Sequence, residues 1–294
     1  MAVKGKEISV IRCCRHLGIS KQSYYKSRKR VELEDIYSKE VLEKVSTIRY
    51  EQPRIGTRKL YYLLKEEINI GRDKLFRLLR NNEMLVVPKK KHIKTTNSRH
   101  WMQTYRDISK TINLESPEQL WVSDITYLST KEETIYLHLV TDAYSKHIMG
   151  YNLSRDLTSQ STLKALQMAL GKRIYKNKNL VHHSDRGLQY CSRIYVEELL
   201  KNNCKISMTE DGSPYDNAVA ERVNGILKDE FYCDEKFPSF EQAKRHIDQS
   251  IVTYNCKRPH ISCRMLTPKQ MHLQSEVKVR KWNKKISHPK REIL

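Results

Sequence analysis

The chain reads as an α/β protein, a mixed five-stranded sheet flanked by helices, preceded by all-α modules. Three observations predict this. From residue 117 onward, short β-branched and apolar runs alternate with helical spacing. Before about residue 87, the only apolar period is helical. Between them, residues 88–112 lose apolar periodicity and become rich in Lys, Thr, Asn and Ser, as a tether does.

Ile8 to Lys26 predicts helix, turn, helix: Val10, Ile11, Cys14 and Leu17 supply an apolar period, Gly18 breaks it, and Ser20 can cap the second helix. This is a helix-turn-helix or an ordinary helical hairpin; Lys21, Lys26, Arg28, Lys29 and Arg30 on or after the second helix favour the DNA-binding form. Residues 31–87 predict a three-helix unit, with helices over Leu33–Tyr50 and Thr57–Glu67 and a third carrying Leu75, Phe76, Leu78 and Leu79. Strands come next at 120–128, 134–142 and 146–153, the first three forming an antiparallel unit. A helix near 158–171, a strand at 179–184, a helix near 192–202, a strand at 205–209, a loop at 210–217 and a helix near 218–232 complete a sheet covered on both faces. A last helix, about 239–255, leads into Tyr254-Asn-Cys-Lys-Arg-Pro-His260 and a basic tail. The expected divisions are therefore 1–30, 31–87, a basic linker over 88–116, an α/β core over 117–235, and a C-terminal helix and tail over 236–294.

The 294 residues carry a formal charge of +21. The excess is clustered: nine Lys or Arg against one acid in residues 1–30, seven against one in 84–110, and seven against two in 276–294. That pattern points to a polyanion, with nucleic acid ahead of an anionic membrane surface. No apolar run reaches membrane-spanning length and no signal-peptide core opens the chain, so neither a span nor secretion is expected. The seven cysteines are scattered without Cys-x-x-Cys pairs, and they read as reduced thiols of a cytoplasmic protein rather than a zinc site.

Three acids stand out. Asp124 is embedded in the strand Trp121-Val-Ser-Asp-Ile-Thr-Tyr127, Asp185 ends the run Leu180 to Gly187, and Glu221 opens a helix after Ser213-Pro-Tyr-Asp-Asn217. Burying isolated carboxylates is costly unless a cation compensates them, so three that converge suit hard divalent ions. Two such ions about 3.5–4 Å apart activate a hydroxyl and stabilise a leaving oxygen in phosphodiester displacement, and magnesium keeps room for water and phosphate oxygens. Lys228, two helical turns past Glu221 and on its face, can contact a phosphate. Any one acid alone has a bland reading as a strand-edge, turn or first-turn helix residue. His182 and His183 tune such a site or pack at the strand end. Asp216 and Asn217 order the loop, and Trp121 anchors the core. Arg222 and, in the linker, Lys89, Lys90 and Lys91 are candidate DNA contacts, and Tyr254, Arg258 and His260 either contact phosphates too or form a Pro-bounded helix terminus.

These residues carry a resemblance. Trp121 to Tyr127, His183-Ser-Asp-Arg-Gly187, Ser213 to Arg222, the thirty-five residues between Asp185 and Glu221, and Lys228 closely resemble the motifs of transposases of the insertion sequence three family. Tyr254 to His260, Leu266-Thr-Pro268 and Cys14 to Tyr25 are similar to it as well, so the likeness spans about residues 10–270. One departure is Thr57, where the family often has an aromatic. The resemblance implies a ribonuclease-H-like integrase core that binds magnesium or manganese, cleaves insertion-element ends and joins the freed 3′-hydroxyl to target DNA without a covalent protein–DNA intermediate. It also implies a homo-oligomer, at least a dimer, and an upstream-frame protein as a fusion partner. Two alternatives stay open: a metal-dependent nuclease or recombinase, and a non-catalytic DNA-binding regulator.

Overall fold

The computed structural model describes residues 9–87, 102–210 and 218–278, which divide into two compact units. Lys89, Lys90, Lys91, Asp216 and Asn217 lie outside the described residues.

The first unit takes in residues up to Tyr50 and Gly56–Val86. Helix α1 (Val10–His16) ends at a turn where Gly18 has φ 65°, a left-handed conformation that costs glycine little. The Ser20 hydroxyl then accepts from the Ser23 N–H at 3.0 Å and caps helix α2 (Lys21–Glu51). α2 runs unbroken for 31 residues, so the boundary expected between residues 30 and 31 falls inside it. The reason is local: no Gly or Pro interrupts Lys21 to Glu51, and the Arg28–Glu32 pair bridges the expected break at i,i+4 spacing. Helices α3 (Thr57–Leu64) and α4 (Arg72–Asn81) close the unit, with Val41, Val45, Leu60, Leu64, Ile68, Leu75 and Leu79 buried.

The second unit holds Glu51–Ile55 and the chain from Val87 onward. Its sheet comprises β1 (Leu120–Ser129), β2 (Thr134–Asp142), β3 (Ile148–Ser154), β4 (Val181–Ser184) and β5 (Lys205–Met208), in the order β3-β2-β1-β4-β5. β1, β2 and β3 are antiparallel, while β4 and β5 run parallel to β1. With helices on both faces, this is the mixed, ribonuclease-H-like sheet. Strand alternation sends Trp121 to one face, against Leu163, Leu166 and Ala169 of α5 (Ser159–Gly171) and Leu199 of α7 (Arg193–Lys201). The helix expected near 192–202 is preceded by a separate turn of helix, α6 (Leu188–Cys191). On the opposite face, Ile135, Leu137 and Leu139 of β2 pack on Val223, Ile226 and Leu227 of α8 (Ala218–Glu230) and on Ile247 and Ile251 of α9 (Phe240–Cys256).

α5 lies very close to β3. A Cβ at Gly150 would stand 2.1 Å from the Ala165 carbonyl oxygen and 2.6 Å from the Ala169 nitrogen, so only glycine fits there.

Two further expected boundaries move. α9 shares one apolar cluster with the sheet, and α10 (Pro268–His272) buries Met271 beside Tyr144, so the division at 235/236 cuts through a single core. The linker also ends before residue 116: Ile108, Ile112 and Leu114 pack against Leu120, Val122 and Val181, and the Ile108 N–H donates to Ser207 Oγ at 3.0 Å. The basic composition around those apolar residues hides them in the sequence. No helix among the described residues is long and apolar enough to cross a membrane, and all seven cysteines are free thiols.

Candidate active site

β1 and β4 bring the first two acids together. Val122 pairs with His183 in parallel register, which carries Asp124 and Asp185, two residues further on and just past the end of β4, close enough for the Asp185 charge to act on Asp124. The face that carries Asp124 is covered by α8, because Asp124 is the cross-strand partner of Leu139. Each carboxylate has one oxygen held by a nearby backbone N–H. Ile125 donates to Asp124 Oδ1 at 2.9 Å, and Gly187 donates to Asp185 Oδ1 at 2.9 Å. The second tether explains the glycine of Asp-Arg-Gly: a Cβ there would sit 3.0 Å from that same Asp185 oxygen and 3.1 Å from Gln189 Oε1.

α8 supplies the rest. Glu221 lies in its first turn and is solvent-exposed, as is Arg222. Asn224, one turn on, is buried and donates from Nδ2 to Asp124 Oδ2 at 2.7 Å. Lys228 comes after another turn, half-buried. Burial lowers its pKa, and the opposing charges of Asp124 and Asp234 partly offset that. Sequence reasoning missed Asn224, although its place three residues after Glu221 marks it as a same-face neighbour.

Electrostatics tie the group together. Asp124 is pushed up to about 7, first by desolvation and then by the negative charge of Asp185, with Glu221 adding to the same effect; the bonds from Asn224 and Ile125 pull the other way. A buried carboxylate raised by neighbouring negative charge in this way suits a divalent ion, which would offset the repulsion. All-oxygen donors of this kind match magnesium or manganese rather than zinc. Among the described residues, no three His, Cys, Asp or Glu side chains stand close enough to hold a metal as placed. Asp124 and Asp185 form the near half of the candidate site, and Glu221 would have to turn in from α8.

The remaining candidate residues divide between buried and exposed positions. Arg258 is buried, with its guanidinium forked onto Glu230: Nε to Oε2 at 2.8 Å and Nη2 to Oε1 at 2.8 Å. His260 is buried too, with Nδ1 2.9 Å from Ser262 Oγ, and Tyr254 donates its hydroxyl to the Lys146 carbonyl at 2.9 Å. As placed, these residues are buried and brace the end of α9. His182 and His183 likewise belong to the sheet. His182 Nε2 lies 2.7 Å from Ser123 Oγ and 2.9 Å from the Tyr195 hydroxyl, and burial drives its pKa down to about 3. His183 Nδ1 is 2.8 Å from Ser207 Oγ. Lys21, Lys26 and Arg28 are exposed on α2, Arg28 being paired with Glu32.

Two models of the integrase core domain match the chain, over residues 115–214 and 202–268. Fold and matched segments thus define the class, an integrase-core protein. Three curated relatives narrow it. The insertion element IS600 uncharacterized 31 kDa protein of Shigella sonnei is 34% identical over 261 residues, covering 87% of this chain and 95% of that one. The transposase for insertion sequence element IS629, also of Shigella sonnei, is 31% identical over 227 residues, covering 73% and 75%. Transposase InsF for insertion sequence IS3A of Escherichia coli K12 is 40% identical over 155 residues, covering 52% and 54%. The chain belongs to the IS3 family of insertion-sequence transposases. Among solved structures it is similar to the HTLV-2 integrase catalytic core domain in complex with magnesium, at 22% identity and TM-score 0.43, covering 53% of this chain and 97% of that one.

Proposed function

We propose that this transposase binds the ends of its insertion element and catalyses metal-dependent strand cleavage and strand transfer by direct phosphodiester displacement. The observation that carries the reading is the coupling of Asp124 to Asp185 across paired strands, with Asp124 driven up to about 7 by burial and by its acidic neighbours.

In this reading Asp124, Asp185 and Glu221 hold the divalent ions. Magnesium, or manganese in its place, supplies charge neutralisation, activation of the attacking hydroxyl and stabilisation of the leaving oxygen. Asp124 is held by strand pairing and its backbone tether, and Asp185, just past the end of β4, by the Gly187 N–H, which limits the reorganisation left to the moment of reaction. Lys228, on the same helix as Glu221, would meet a non-bridging phosphate oxygen beside the scissile bond. Water is the nucleophile in cleavage, and the freed 3′-hydroxyl is the nucleophile in joining; in each case the P–O bond opposite the attacking oxygen breaks. Lys21, Lys26, Arg28 and the linker lysines 89–91 grip DNA phosphates, with Arg222 beside the reacting strand. The working assembly holds at least two copies, since two element ends must meet, and an upstream-frame fusion partner adds further DNA recognition.

The test is incubation of the purified chain with labelled element ends and magnesium. Cleaved and joined products support the proposal. Binding without cleavage in magnesium or manganese overturns the enzyme reading in favour of a DNA-binding regulator, and cleavage without joining favours a nuclease.

A further inference from the structure

We infer that Asn224 is a positioning residue that sets the orientation of the Asp124 carboxylate for its ion. This inference rests on the metal reading proposed above and adds a residue to it.

Asp124 Oδ2 accepts from Asn224 Nδ2 at 2.7 Å while Oδ1 accepts from the Ile125 N–H at 2.9 Å. With each oxygen held once, the carboxylate cannot swing freely about its terminal torsion, a torsion that is otherwise broad. One lone-pair direction on each oxygen is then left in a defined place. The backbone tether is local and would accompany any Asp at this position. The Asn224 bond crosses from α8 to β1, so it locks the carboxylate to the helix that carries Glu221 and Lys228.

The amide orientation follows from chemistry. A carboxylate oxygen only accepts, so the nitrogen of Asn224 must face it and Oδ1 must point away. That Oδ1 is buried and has no hydrogen-bond partner among the described residues. Leaving a buried acceptor unpaired is costly, and packing does not require it, because Val223, Ile226 and Leu227 already fill the interface with the sheet. A leucine of similar volume would serve a purely structural role at lower cost. An amide with one end on Asp124 and the other end an unused acceptor is what a site needs when a donor arrives with the substrate or with the hydrated ion. Outer groups that orient a ligand typically govern metal affinity or activity by about 10–100-fold.

The experiment measures manganese binding to the full-length chain without DNA, by the loss of the free-ion paramagnetic resonance signal, alongside thermal melting. Wild type should bind manganese, and Asp124→Asn should abolish that binding. Asn224→Leu should weaken it by about 10–100-fold while melting at or above the wild-type temperature. Asn224→Ala, which removes any crowding that leucine introduces, should give the same weakening. In cleavage assays the rate of both variants should recover as manganese is raised, a shift in metal requirement rather than in maximal rate. Unchanged manganese affinity in either folded variant overturns the role of Asn224. Failure of wild type to bind manganese, or binding that survives Asp124→Asn, overturns the metal reading itself and this inference with it.

Discussion

The sequence makes Arg258 look like a phosphate contact, and the structure makes it a buried brace, so replacing it separates the two readings. Arg258 is 2% exposed, and its fork onto Glu230 joins the end of α9 to the end of α8, the helix that carries Glu221, Asn224 and Lys228. Its guanidinium also lies 5.7 Å from the centroid of the Tyr254 ring. Breaking a buried pair by removing one partner costs about 3–5 kcal/mol, because the remaining charge is left uncompensated. The Glu230 side chain is 17% exposed, so water reaches it partly and the lower end, about 3 kcal/mol, applies to Arg258→Ala. For a unit of this size, each kcal/mol moves the melting temperature by about 2–4 °C, giving a drop of roughly 6–12 °C. Arg258→Lys keeps the charge but cannot bridge both oxygens, and should fall between wild type and alanine. The assay pairs thermal melting with DNA affinity measured across a salt series. The brace is refuted if Arg258→Ala melts like wild type and its affinity loses about one unit of salt slope, the signature of a lost phosphate contact.

Gly150→Ala should destabilise the second unit strongly, because the new Cβ meets backbone atoms of α5 at 2.1 and 2.6 Å and the helix must lift off β3; melting of the purified variant, or its failure to accumulate as soluble protein, checks this. Stability should also fall at alkaline pH through His272, whose Nε2 lies 3.3 Å from Glu118 Oε1 and whose pKa is raised to about 9 by Asp142 and Glu118 against the cost of burial. Because the folded value exceeds the unfolded one of about 6.5, its contribution, at most about 3 kcal/mol, is complete below pH 6.5 and lost as pH rises through 9. Urea titrations between pH 6 and pH 10 should show that loss, and His272→Gln should flatten it. Gly187→Ala should slow cleavage with little change in melting, since its Cβ would press on the Asp185 oxygen that the Gly187 N–H now holds; an unchanged rate would show that this tether does not matter.

The sheet was legible because its strands carry their own signal. Ile135, Leu137 and Leu139 alternate along β2, and the embedded Asp124 and the Gly after Asp185 mark a strand interior and a strand end. What was not legible depended on partners distant in sequence. Nothing near Arg258 announces Glu230, 28 residues earlier, and a basic residue in a Pro-bounded motif reads naturally as a phosphate ligand. Ile108 and Leu114 vanish into a basic segment until β1 and β4 are there to receive them. The continuity of α2 is readable in principle from the absence of Gly and Pro, but its changing apolar face suggests two helices where there is one. Asn224 sits between: its i+3 spacing from Glu221 is visible, while its bond to Asp124, 100 residues away, is not.

Asp124, Asp185 and Glu221 are central because they are proposed to act as one metal-binding unit. The most direct test is single-turnover cleavage of a labelled element end by Asp124→Asn, Asp185→Asn and Glu221→Gln, singly and in pairs, with DNA affinity and melting measured on the same preparations. Residues that act as a unit are grossly non-additive, so each single variant should lose cleavage as completely as any pair while still folding and binding DNA. A folded single variant that cleaves at the wild-type rate, or pairs whose losses simply multiply, would contradict a shared unit.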